Sequence, residues 1–417
     1  MIPWLLIWTL TGSLGSVAVP ADLSNWLPAM LGPGEILVNV DHRPGDQNLP
    51  SVSCFGNQFV VSYNGEHISK GAFGVAEAWL DAGKDVVRKD LAVDPDGEGE
   101  QWSASVVVGE EGAVVVWADE RGDDDGYGVR MRRVAHSGEA PTAIQSLNEY
   151  QQGGQWQPAV TRLVDRSLVV VWSSFFQDDS GFAVASRWFQ GDLTPRGREF
   201  LVNQHLDGSQ MHPAVAPLSG GGFAVAWESE REDGGWEIRT RYFTVKGNTT
   251  GEDRSISLME DASHSAADIA CISKGRCMVV WQALGADGDG LGVYGRCLGG
   301  DGVPTGGAFR VSGNRRGDQQ APAVTSVEGK GYLVVWSDSG GEADGSEIRA
   351  RGFWEGCQPT GPEQEVNTFR EGWQSAPDVA VCGDFVLAVW QSQGEDRSGW
   401  GIVGRWLSME AFFPGTP

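Results

Sequence analysis

A short apolar run closed by an aromatic residue returns seven times along this chain, and the interval hardly varies. Tyr63, Trp117, Trp172, Trp227, Trp281, Trp336 and Trp390 stand 54 or 55 residues apart. A period this regular means seven copies of one supersecondary unit, and seven linked copies argue for a single closed body rather than several domains. Other positions keep the same step. Gln47, Gln101, Gln155, Gln210, His264, Gln319 and Gln374 precede a short strand, and Pro50, Pro158, Pro213, Pro322 and Pro377 open it. Arg132, Arg187, Arg241, Arg296, Arg351 and Arg405 recur near the end of a later strand, with Ala78 at that place in the first copy.

Each unit reads as four short strands, a to d. In the second copy, residues 103–108, 112–117, 128–134 and 143–147 are rich in β-branched residues and bounded by Gly, Asp or Pro. No stretch of useful length has helical periodicity. Four antiparallel strands in seven copies predict an all-β chain folded as a seven-bladed β-propeller. The small residues Ala159, Ala214 and Ala323 in strand a suit the crowded rim of a central channel, and the aromatic anchor of strand b suits the surface between blades. The recurrent arginine is expected to fix blade geometry by pairing with a nearby acid or carbonyl. Glu35-Ile36-Leu37-Val38-Asn39 matches the strand d phrase Phe200-Leu201-Val202-Asn203, whereas the last copy ends after its strand c at Arg405-Trp406-Leu407. Residues 35–40 are therefore expected to complete the seventh blade and remove two exposed sheet edges.

On this reading the propeller spans residues 35–407, with a leader over 1–21, a linker over 22–34 and a tail over 408–417. The leader, Pro3-Trp4-Leu5-Leu6-Ile7-Trp8 and then small residues up to Ser16-Val17-Ala18, reads as a signal peptide of a secreted or surface protein, or as an apolar tail. Thr9, Thr11, Ser13 and Ser16 make it too short and polar for a stable membrane span. A net charge of −25 excludes nucleic-acid phosphates and anionic lipid as partners and leaves neutral or cationic ones. Six cysteines fit an oxidising compartment. Cys271 and Cys277 flank the turn-like Ser273-Lys274-Gly275-Arg276 and are placed to pair across a hairpin; the other four have no evident pairing. Asn248-Thr249-Thr250 is a glycosylation sequon, meaningful for a chain secreted from a eukaryotic cell.

The phrases Gln155-Trp156-Gln157-Pro158-Ala159-Val160, Val170-Val171-Trp172, Arg187-Trp188-Phe189 and Phe200-Leu201-Val202-Asn203 resemble the repeats of extracellular bacterial adhesin-like and RTX-type proteins. The resemblance covers residues 35–407. It implies the propeller fold and surface exposure, and no catalytic residue. Tyr63, Ala78 and His264 depart from the pattern, which marks the first and fifth blades as atypical.

Alternating strand direction brings the loop before strand a and the b–c turn to the same side of the ring. The b–c turns carry most of the net negative charge. Beside them runs a second series at the repeat spacing, Phe73, Tyr127, Phe182, Trp236, Leu291, Ser346 and Trp400, with Trp102, Trp156 and Trp373 next to the recurrent glutamines. Phe73, Tyr127, Phe182, Trp236, Trp400, Trp102, Trp156 and Trp373 are candidates for stacking on sugars, with the acids accepting hydroxyl hydrogen bonds. The alternative is that these rings cover blade edges. Asp123, Asp125, Asp287 and Asp289 supply hard oxygen ligands suited to calcium, without EF-hand spacing, or form solvated turns. No other cofactor is called for.

The histidines are scattered, and neither a His-Glu-x-x-His run nor a Gly-x-Ser-x-Gly elbow occurs. The expectation is a non-catalytic extracellular binding or adhesive module for carbohydrate or another cell-surface ligand. The alternatives are a glycosidase-like propeller enzyme using paired carboxylates on the acidic face, and a scaffold for basic protein partners.

Overall fold

Seven four-stranded antiparallel sheets succeed one another in the computed structural model, which describes residues 31–41, 45–70, 73–83, 86–136, 142–247, 249–257, 262–286, 288–340 and 345–415. The second blade shows the pattern: strand a is Gln101–Gly109, b is Gly112–Asp123, c is Gly126–Val134 and d is Gln145–Ser146. Each strand a touches the strand a of the blades before and after it, and that of the seventh touches that of the first, so the sheets close into a seven-bladed propeller. The leader, Asn248 and Asp287 lie outside the described residues. Among the described residues no helix is long and apolar enough to cross a membrane.

The core is divided into seven wedges, each between consecutive blades. One wedge joins Val114, Val116, Val129 and Met131 of blade 2 to Leu168, Val170, Trp172 and Phe189 of blade 3. The six anchor tryptophans and Tyr63 are fully buried, each packed against the preceding blade. This is why the aromatic recurs: a large flat side chain fills the widening gap between two twisted sheets, and area burial alone is worth roughly 4–6 kcal/mol per tryptophan as an upper bound.

Polar devices repeat as regularly. Each recurrent arginine reaches back to the main-chain oxygen of the residue just after strand d of the preceding blade: Arg187 Nη1 donates to Leu147 O at 2.7 Å, Arg241 to Val202 O at 2.6 Å, Arg296 to Ile256 O at 2.7 Å, Arg351 to Val311 O at 3.1 Å and Arg405 to Val366 O at 2.6 Å, and Arg132 donates likewise to Val93 O. The recurrent glutamine holds the loop entering its blade. Gln155 Oε1 accepts from Asn148 Nδ2 at 2.8 Å while its Nε2 donates to Gly153 O at 3.0 Å, and Gln210 does the same with Asn203 and Gly208.

The closing seam is built differently. Glu35–Leu37 pairs antiparallel with Trp400–Ser408, Glu35 opposite Arg405 and Leu37 opposite Val403, so the chain's first strand completes the last blade. Asn39 Oδ1 accepts from Ile402 N at 2.8 Å, continuing the pairing as a side-chain contact. Ala78 leaves this seam without the arginine clamp, and a disulfide between Cys54 and Cys382, strand a to strand a, ties blade 1 to blade 7. Cys271 pairs with Cys277 across its hairpin as expected, and Cys297 pairs with Cys357 between blades 5 and 6. After the last strand, the helical turn Met409–Phe412 sets Met409, Phe412 and Phe413 into the wedge between blades 6 and 7.

Candidate active site

The mouth of the channel is shaped by one backbone feature that occurs in every blade. The second residue after the recurrent Gln or His is left-handed, with φ between 46° and 54°: Leu49, Ser103, Gln157, His212, Ala266, Ala321 and Ala376. The pairing of strand a with strand b shifts register at that point in all seven blades. None of the seven is glycine, so each accepts a strain of roughly 1–2 kcal/mol to kink the strand at the axis. In four blades the residue after the anchor supports the kink of the following blade. Ser173 Oγ accepts from His212 N at 3.0 Å, Glu228 Oε1 from Ala266 N at 2.7 Å, Gln282 Oε1 from Ala321 N at 2.8 Å and Gln391 Oε1 from Leu49 N at 3.0 Å.

Against this regular frame, three side chains stand out. Two residues beyond the kink the seven blades carry Ser51, Ser105, Ala159, Ala214, Asp268, Ala323 and Asp378. Asp268 and Asp378 are half-buried in strand a, the strand of each blade that meets its counterparts around the axis. Asp268 accepts from Val324 N of blade 6 at 2.7 Å and from Ile269 N at 2.8 Å. Asp378 accepts from Val52 N of blade 1 and from Val379 N, both at 2.7 Å. Ser105 makes the corresponding link to Val160 N with a hydroxyl, at 3.4 Å, and three blades have alanine, so joining blades does not itself call for a carboxylate.

Burial pushes the Asp268 carboxyl up to about 7 against the hydrogen bond from Val324, and the charge of Asp378 adds to the rise. Burial likewise pushes Asp378 up to about 6, opposed by the amides of Val52 and Val379 and by the Ser51 hydroxyl. Asp268 thus feels the charge of Asp378, which stands two blades further round the ring, and both carboxyls are raised toward neutrality. At the kink of blade 4, His212 Nδ1 lies 3.0 Å from Glu228 Oε2, with the imidazole 42% exposed and the carboxylate 6%. Burial lowers the His212 value, but the charge and hydrogen bonding of Glu228 outweigh it and leave it raised. Besides these three, the strands a carry only His264, fully buried in the place of the glutamine, and Arg162 near the opposite end of its strand as ionisable groups outside the disulfides.

The rest of that face, a rim formed by the b–c turns, the starts of strands c and the residues beside the recurrent glutamines, carries the residues singled out in the sequence. Phe73 stacks on Trp102 across the first blade boundary with centroids 4.5 Å apart, and Tyr127 meets Trp156 across the next at 3.8 Å. Those four rings face one another. Phe182 packs on Phe175 at 5.0 Å, Trp236 and Trp400 are half-buried, and Trp373 is 39% exposed. Being spread one or two per blade, they do not converge on a single pocket. Asp123 accepts from Asn148 Nδ2 and Asp125 N, both at 3.0 Å, Asp125 caps Gly153 N at 3.1 Å and Asp289 caps Gly317 N at 3.3 Å. These acids hold the loop of the next blade, and among the described residues no three His, Cys, Asp or Glu side chains converge as a metal site.

His212, Glu228, Asp268 and Asp378 escaped the sequence reading because each belongs to a different strand and none forms a contiguous motif. The signal that finds them is the alignment of the seven copies on one another: an aspartate in strand a where the others have Ser or Ala, and a carboxylate directly after an anchor.

No family model and no curated protein matches this chain. Solved structures do. An ulvan lyase of polysaccharide lyase family 25 superposes with a TM-score of 0.57 at 10% identity, covering 93% of this chain and 100% of its own. A protein of unknown function from Dyadobacter fermentans gives 0.54 at 10% identity, covering 92% and 100%. The Penicillium chrysogenum α-L-arabinanase with arabinobiose gives 0.51 at 11%, covering 75% and 94%. At such identities the likeness shows the fold. Nothing in these likenesses supports the adhesin-like or RTX-type resemblance; they support the seven-bladed propeller. They also correct the expectation of a non-catalytic binding module, which rested on the lack of a contiguous catalytic motif. Two of these three propellers are enzymes acting on carbohydrate. On a ring, acid and base arrive from separate blades, so such chemistry needs no motif in the sequence.

Proposed function

We propose that this protein is a carbohydrate-active enzyme that cleaves glycosidic bonds at the channel mouth, with Asp268 and Asp378 as its acid–base pair. The observation that carries the reading is the placing of two axial carboxyls, unrequired by the repeat, with values raised to about 7 and about 6. Between pH 6 and 7 the pair holds about one proton on average, which is the condition for one group to protonate the leaving oxygen while the other, ionised, activates water or attacks the anomeric carbon. Asp268, the higher of the two, takes the acid role and Asp378 the basic one. Glu228 positions His212 at the rim of the same mouth. The axial groups near the mouth are acidic apart from His212, which suits glycans free of carboxylate and sulfate, since an anionic sugar would meet like charge. Three disulfides support an oxidising, extracellular setting.

The test is release of reducing ends from neutral polysaccharides such as arabinan and xylan, set beside polygalacturonate. Cleavage by the wild type that D268N and D378N each abolish, with the fold intact by circular dichroism, supports the reading. A wild type inert on every polysaccharide, or an undiminished D268N, refutes it. An unsaturated product would replace hydrolysis by elimination.

A further inference from the structure

Phe175 and Phe176, at the end of strand b and the start of the b–c turn of blade 3, break two local rules together. Both are exposed, at 37% and 50%, and Phe176 is left-handed, with φ 62°. The corresponding position is Gly285 in blade 5, φ 75°, Gly394 in blade 7, φ 89°, and His67 in blade 1, φ 63°. Glycine takes that conformation freely and histidine is among the side chains found there more often, whereas a bulky aromatic is strained by it. Neither burial nor backbone geometry selects phenylalanine at 176, and a residue that violates local preference without a packing return marks a functional position.

The rings form a ledge. Phe175 lies 4.9 Å from Phe176 at an interplanar angle of 72° and 5.0 Å from Phe182 at 58°. Tyr150 Oη donates to Phe176 O at 3.1 Å and fixes the turn from below, and Phe175 N donates to Gly154 O at 3.0 Å. On its flank the turn engages the loop entering blade 4: Ser180 Oγ accepts from Gly208 N at 3.0 Å and Asp178 Oδ2 from Asn203 Nδ2 at 3.0 Å. That loop leads within four residues to His212. The ledge therefore stands on the face that bears the axial acids and beside the blade that supplies the histidine. Its edge carries Asp178, Gln177 and Glu199, the last two joined at 2.5 Å, which are acceptors and donors suited to hydroxyl groups.

We propose that Phe175 and Phe176 form a secondary sugar-stacking subsite that holds a neutral polysaccharide at a distance from the axial carboxyls. This rests on the carbohydrate reading above, and the experiment separates the two. Wild type, F176G, F175A and D268N are compared by affinity electrophoresis in soluble arabinan and in xylan, and for cleavage of both. F176G replaces the strained residue by one that prefers its conformation, so its melting temperature should not fall. Its retention, and that of F175A, should weaken about tenfold on the retaining polysaccharide, the loss of one ring contact. D268N should be retained like the wild type while losing cleavage. Retention of F176G and F175A equal to wild type overturns the subsite even if cleavage is confirmed. Retention that depends on the phenylalanines in a protein that cleaves nothing keeps the subsite and removes the catalytic reading. A wild type retained by neither polysaccharide overturns the subsite.

Discussion

The outer rim and the axis of this ring lie on one face and are built on opposite plans. At the rim several interactions serve the fold: aromatic rings meet across two blade boundaries, and turn acids cap the next loop. At the axis the backbone repeats without exception while the side chains do not, and carboxyls appear in two blades where serine or alanine serves the others. In a chain assembled from copies, what recurs is what the architecture needs. Function is to be sought where one copy departs from the rest.

The comparison is sharpest in substitutions that separate activity from stability. D268N or D378N should lower cleavage about a hundredfold or more, with the melting temperature preserved or raised because a buried charge is removed. At the rim, W156A should keep most cleavage and lose about 1–3 kcal/mol of stability with the Tyr127 contact, read from denaturant midpoints. An inactive, fully stable W156A would invert the contrast. The pH–rate profile should be bell-shaped with limbs near 6 and 7, the values of the two acids, and D268N should flatten the alkaline limb. E228Q leaves an acceptor for Ala266 N but removes the charge beside His212, so the imidazole should titrate at lower pH, as NMR would report, with activity down about tenfold or less.

The smallest expected effect concerns stability against pH. Burial, with the Glu35 carboxyl close by, raises Glu395 to about 8, and Asp268 and Asp378 are raised as well. A group raised on folding contributes stability that is complete below its unfolded value, about 4 for carboxyls, and is lost as the pH climbs through its folded value. Asp253 opposes this: hydrogen bonds from Gln204, His205 and Arg239 outweigh its burial and hold it low, so its contribution disappears in acid. The melting temperature should therefore be highest in mildly acidic solution and decline through pH 6 to 8, and E395Q should reduce the alkaline part of that decline.

The fold was legible because the same physical demand is met seven times: an aromatic anchor in each wedge, tryptophan in all but one, a glutamine or in one blade a histidine on each incoming loop, and an arginine in every blade but the first. Repetition turns a weak local signal into a strong one. Even the closing strand announced itself, since Glu35 to Asn39 repeats the phrase of the other strands d. The left-handed kink was hidden, because it falls on Leu, Ser, Gln, His and Ala alike and is imposed by the ring rather than by residue preference. The axial acids were hidden for a related reason. Asp268 and Asp378 are 110 positions apart in the chain, and only the closing of the ring brings the charge of one to bear on the other. The rim aromatics are conspicuous by their regular spacing, and Phe73 with Trp102 and Tyr127 with Trp156 pack in pairs across blade boundaries.

The Cys54–Cys382 bond encloses 328 residues of sequence separation, nearly the whole propeller. In the chain-entropy picture a loop of that size withdraws roughly 6 kcal/mol of freedom from the unfolded chain. It also alters what proteolysis can achieve: a protease that nicks a surface loop anywhere between those cysteines severs the peptide yet releases nothing, because both fragments stay bound through sulfur until a reductant arrives.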